Sequence, residues 1–85
     1  MSGGAFDYKQ YHLETLAADI NQAIRDNDKE YRGYSEDTLT QFRDAVFYLK
    51  LAAVYVQRID WLLSGDDGEE TFHQRLDDEI SALVP

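Results

Sequence analysis

The sequence has no cysteine, which removes disulfides, thiolate metal sites and thiol catalysis at once. A chain of 85 residues without such staples must be held by helix packing, by association with other chains, or by both. The lack of disulfides also fits a reducing compartment. Basic residues are scarce: 8 Lys and Arg stand against 17 Asp and Glu, for a net charge of −9. Phosphate backbones repel such a surface, so direct nucleic-acid binding is not expected. The same balance suits a partner with a basic surface, or plain colloidal stability. Long apolar runs are missing too. The most apolar stretch, residues 45–63, contains Lys50, Arg58 and Asp60, which argues against a membrane span. The opening Met-Ser-Gly-Gly lacks the basic and apolar regions of a secretory signal, and its first glycine stands third, where the myristoylation pattern fails. Together these absences point to a cytoplasmic chain.

The hydrophobic share of 44% and the aromatic share of 13% are enough for a real core, so a folded single domain over 1–85 is expected. A chain this short rarely encloses both a core and a deep catalytic pocket, which lowers the expectation of an enzyme. Residues 1–5, with adjacent glycines, read as a loose lead-in. From there the periodicity is helical throughout. Leu13, Leu16, Ala17, Ile20 and Ile24 fall three and four apart, predicting a first helix over about 8–25 with Asp7 as its cap. The polar stretch 26–34 reads as an exposed loop, with Gly33 free to take positive φ.

Ser35 then marks a well-specified helix start. Its hydroxyl is placed to cap Thr38, Glu36 and Asp37 put negative charge at the positive end of the dipole, and Tyr34 and Leu39 hold hydrophobic-staple positions. The second helix is expected over 36–63, free of proline and glycine. Leu39, Phe42, Val46, Leu49, Ala53, Val56, Asp60 and Leu63 form one heptad-like seam; Ala45, Tyr48, Ala52, Tyr55, Ile59 and Leu62 form another beside it. Such a helix would be about 40 Å long, against a radius of gyration of about 12 Å for a compact domain of this size. An elongated hairpin, a kink or a second copy of the chain would resolve the mismatch, and a homo-oligomer, most simply a dimer, is the favoured expectation. Gly65 is placed to close the second helix, and Asp67 with Glu70 has the spacing of a capping box for a third over 67–83, with Phe72, Leu76, Ile80 and Leu83 as its apolar stripe. The expected architecture is therefore all-α: three helices as an antiparallel bundle or hairpin around a long central one.

Motifs with chemistry are few. His73 has Glu69 and Glu70 one turn before it and Asp77 one turn after, and Glu70-x-x-His73 has the spacing of di-metal carboxylate helices. Such sites need two of these motifs and further carboxylates, so an exposed acidic face that happens to hold a histidine is the expectation, with no metal and no cofactor. The Gly-Asp-Asp-Gly-Glu-Glu stretch fails as a calcium loop: with Gly68 at the sixth position, the first ligand falls on Leu63 and the twelfth on Gln74. Asp60 interrupts an apolar seam and needs a partner; Arg25, Arg43, Arg58 and His12 are the candidates, in a structural or register-setting role rather than a catalytic one. Arg43, Lys50 and Gln57 share a stripe and are expected to pair with the acids of the third helix. Tyr34, Tyr48 and Tyr55 read as core or staple residues, while Tyr8 and Tyr11 have no assigned place. No catalytic triad order, phosphate loop or zinc spacing is present.

The opening Met1-Ser-Gly-Gly-Ala-Phe-Asp-Tyr8 and the block Arg58-Ile-Asp-Trp-Leu-Leu-Ser-Gly-Asp-Asp-Gly-Glu-Glu-Thr-Phe72 resemble a family of small bacteriophage and prophage proteins. The likeness covers both ends and spares the loop after the first helix. It implies a mobile-element origin and a cytoplasmic life in an infected bacterium, and it assigns no activity and no functional residue. The expected function is thus non-catalytic binding of a host protein with a basic surface, through Asp66, Asp67, Glu69, Glu70, Asp77, Asp78 and Glu79. The alternative is an oligomeric binder of an anionic small molecule or nucleotide, with Arg43, Lys50, Arg58, Tyr48 and Tyr55 lining a site between subunits.

Overall fold

The computed structural model describes residues 6, 8–27 and 33–84. Three helices follow in order: α1 (Gln10–Arg25), α2 (Glu36–Leu63) and α3 (Glu69–Leu83). No strand occurs among the described residues, and the all-α, three-helix expectation holds. The radius of gyration is 15.8 Å and the principal extents are 49 × 26 × 12 Å, so the helices make a long thin slab rather than a globe. Both α1 and α3 pack on α2, and they do not pack on each other.

The ends of α2 lie where the sequence puts them. Ser35 has extended backbone and its hydroxyl accepts the Thr38 N–H at 3.4 Å. At the other end Gly65 takes φ +85°. The N–H of Asp66 reaches the carbonyl of Trp61 at 2.9 Å and that of Gly65 reaches Leu62 at 3.2 Å, the paired bonds of a Schellman stop. The ring of Tyr34, just ahead of the cap, lies 5.8 Å from that of Phe42.

The first and third helices start later than expected. Tyr8 sits at φ +61°, a left-handed conformation that a helix cannot continue through, so α1 begins at Gln10 with Lys9 as an N-cap that makes no side-chain capping bond. Asp7 and the lead-in over 1–5 lie outside the described residues. At α3, Asp67 does not cap; Gly68 takes that place, and its N–H donates to the Thr71 hydroxyl at 3.3 Å. Asp67 turns inward instead.

The apolar core is narrow: its fully buried members are Ala17 on α1 and Leu39, Val46 and Ala53 on α2. Two expected core members fall outside it. Leu16 is exposed because the stripe of α1 that faces α2 runs Gln10, Leu13, Ala17, Ile20, Ile24, one position off it. Leu63 is exposed because α1 reaches α2 only as far as Asp60. The loop expected over 26–34 is not wholly exposed either. Asn27 is buried, its side chain donating to the Tyr34 carbonyl at 3.3 Å and accepting the Tyr34 N–H at 3.1 Å. Residues 28–32 lie outside the described set. No helix among the described residues is long and apolar enough to cross a membrane.

Candidate functional site

The most polar interior of the molecule is the joint between α2 and α3. Arg58, three residues before Trp61 on α2, is 1% exposed and packs its guanidinium 4.0 Å above the indole. Its Nη1 lies 3.6 Å from Asp67 Oδ2 and its Nε 3.7 Å from Glu79 Oε2. These are ion-pair separations, too long for hydrogen bonds, and neither Nε nor Nη2 finds a hydrogen-bond partner among the described residues. Arg75 on α3 donates to the other oxygen of Asp67 at 3.2 Å. Asp67 thus bridges two arginines, one buried and one at the surface. That arrangement requires the chain to turn back sharply after α2, which the left-handed Gly65 provides.

A second polar group closes the joint from the α1 side. Asp60 is 0% exposed; its Oδ2 accepts from Gln10 Nε2 at 3.1 Å and its Oδ1 from the Ser64 hydroxyl at 3.4 Å. The same Gln10 nitrogen donates to Gln57 Oε1 at 2.9 Å. The expected partners of Asp60 were Arg25, Arg43, Arg58 and His12, and the structure pairs it with Gln10 and Ser64. Arg58 points to the α3 side of α2 and Asp60 to the α1 side, because two positions along a helix face in different directions. Two charged members of the block 58–72 thus pair with α3: Arg58 with Glu79 and Asp67 with Arg75.

Of the acids assigned to a partner-binding face, Asp66, Glu69, Glu70, Asp77 and Asp78 are exposed and make no ion pair within 4.0 Å among the described residues. Asp67 leaves that face, being buried against Arg58 and Arg75, and Glu79 is divided, part-exposed yet tied to Arg58. The residues of the anion-site alternative differ in what they offer to a site between subunits. Arg43 is exposed and bonded at 2.7 Å to Glu36, the first residue of its own helix, rather than to α3. Gln57 turns to Gln10, Lys50 is exposed, and the buried Arg58 is unavailable to a surface ligand. Tyr48 and Tyr55, expected as core, are 64% and 42% exposed.

His73 is exposed with its ring edge-on to Phe72, and no group of three or more His, Asp or Glu converges as a metal site among the described residues. Tyr8 and Tyr11 stack on each other with centroids 6.1 Å apart. Between the start of α1 and the end of α3 opens a shallow cleft of about 320 Å³, lined among others by Gln10, Glu14, Ala53, Gln57 and Glu79. It holds no nucleophile beside a base.

Gln10, Asn27 and Arg75 belong to the polar framework and were not singled out from the sequence, while Gln57, expected to pair with α3, bonds to Gln10. A signal existed for two of them. Gln10 and Asn27 continue the stripe of Leu13, Ala17, Ile20 and Ile24 at spacings of three and four, and a polar residue in an apolar period is a buried one in need of a partner. No family model, curated protein or solved structure matches this chain.

Proposed function

We propose that this is a non-catalytic interaction protein of mobile-element origin, acting in the bacterial cytoplasm on a host protein with a basic surface. One observation carries the reading. Arg58 is buried against Asp67 and Glu79 and the exposed Arg75 is paired with Asp67, which leaves Asp66, Glu69, Glu70, Asp77 and Asp78 exposed with no cation within 4.0 Å among the described residues. Residues 66–85 hold seven acids against the single Arg75, so this one segment carries −6 of the chain's −9. A surface of one sign steers and orients a partner of the other. The resemblance to small phage and prophage proteins supports the cellular setting. The anion-binder alternative loses its central cation with the burial of Arg58.

The test is capture from bacterial lysate with the chain immobilised, run beside a variant carrying Glu69→Lys, Glu70→Lys, Asp77→Lys and Asp78→Lys. A retained protein that elutes with rising salt and is lost by the variant supports the reading. Retention unchanged by the four reversals removes the charge-complementarity argument.

A further inference from the structure

We infer that α2 pairs with α2 of a second copy, antiparallel, along the face turned away from α1. That face is the seam of Ala45, Tyr48, Ala52, Tyr55, Ile59 and Leu62, a three-four repeat of the kind that zips helices together. Neither neighbouring helix covers it. α1 lies on the seam of Leu39, Val46, Ala53 and Asp60, and α3 on the side of Arg58 and Trp61. Tyr48 and Tyr55 stand exposed and the other four are half-buried. Through residues 45–63 this face holds no charged side chain, in a chain of which 29% is charged.

The occupant follows from area, charge and shape. A compactly folded chain of 9.8 kDa exposes about 5200 Å². This one exposes 6002 Å². The excess, about 800 Å² spread over the elongated chain, matches in size what each partner buries in an ordinary stable interface. Two copies carry the same negative sign, so they meet only where neither is charged, and this seam meets that condition. Orientation follows from the order of large and small residues. A parallel pair would stack alanine on alanine and tyrosine on tyrosine, and would set Asp37 and Asp44 of both copies side by side. An antiparallel pair centred between Ala53 and Val54 sets Ala45 against Leu62, Tyr48 against Ile59 and Ala52 against Tyr55. Small residues then meet large ones at both ends and in the middle, and Asp44 of each copy lies at the far end from the other. The surface used is distinct from the acidic face of α3, so both are open to partners at once.

Sedimentation equilibrium on the full chain tests this directly. The expected mass is about 20 kDa, twice the 9.8 kDa chain. Tyr48→Lys and Ala52→Glu each raise the dimer dissociation constant by at least about 100-fold, because each buries an unpaired charge at the seam. Leu16→Glu, on an exposed position of α1, leaves it unchanged, and far-UV circular dichroism confirms that all three keep their helices. Orientation is read by mixing chains carrying Ala45→Cys with chains carrying Leu62→Cys under mild oxidation, a clean experiment in a protein without cysteine. Mixed 45–62 disulfides support the antiparallel pair. A wild-type mass of 9.8 kDa at millimolar concentration, a dimer indifferent to both seam variants, or disulfides only between like positions would each overturn it.

Discussion

The two helices that lean on α2 do so by opposite chemistry. α1 buries Ala17 and α2 buries Leu39, Val46 and Ala53, an apolar contact closed at one end by the hydrogen bond of Gln10 to Asp60. α3 contributes no fully buried residue; its stripe of Phe72, Leu76, Ile80 and Leu83 is half-buried, and beside it a buried arginine lies between Asp67, just ahead of α3, and Glu79. An apolar contact loses stability in proportion to the volume removed. An ionic joint fails abruptly, because removing one partner strands the other charge in a medium that cannot solvate it. The difference teaches that α3 is the element whose attachment can be switched by changing one side chain, while α1 can only be loosened by degrees.

The largest effect is therefore expected at the joint. Asp67→Ala leaves the buried Arg58 only its 3.7 Å pairing with Glu79 and should cost about 3–5 kcal/mol in urea unfolding, with amide exchange in α3 accelerating before that in α1. Adding Arg58→Met to that variant should return most of the loss, since an apolar side chain needs no counter-charge; a double variant as unstable as the single would mean that packing, not charge, fixes α3. Next comes Leu39→Ala in the apolar contact, expected to cost about 2–4 kcal/mol while leaving exchange in α3 slower than in the Asp67 variant. Should Leu39→Ala release α3 as well, the two contacts form one cooperative unit and the contrast between them dissolves. Smallest is Gln10→Ala, which removes a donor from the buried Asp60 and should cost about 1–3 kcal/mol, read as a shift in urea midpoint at constant slope.

The bounds of α2 were legible because they rest on local chemistry: a serine hydroxyl one turn from a free amide, and a glycine where the backbone must turn left-handed. The start of α1 was not, since a tyrosine at φ +61° is a conformation that nothing in its neighbours announces. Asp66 and Asp67 illustrate the limit best. They are adjacent and chemically identical, and one faces water while the other is closed between Arg58 and Arg75. Only the direction of the turn after Gly65 decides which, and a run of acids carries no record of that direction. The polar members of the α1 stripe, by contrast, were readable from their period alone. Gln10 and Asn27 close the apolar contact at its two ends, one on Asp60 and the other on the backbone of Tyr34.

Trp61 is the only tryptophan in the chain, and the Arg58 guanidinium covers its ring. The molecule consequently carries its own optical reporter at the joint that matters most. Indole emission follows the seating of α3, whereas circular dichroism at 222 nm sums over all three helices. If the two signals part company along a denaturant ramp, α3 has lifted while α1 and α2 still hold, and the interval between the curves measures how far a charge-locked element can act independently of an oil-sealed one.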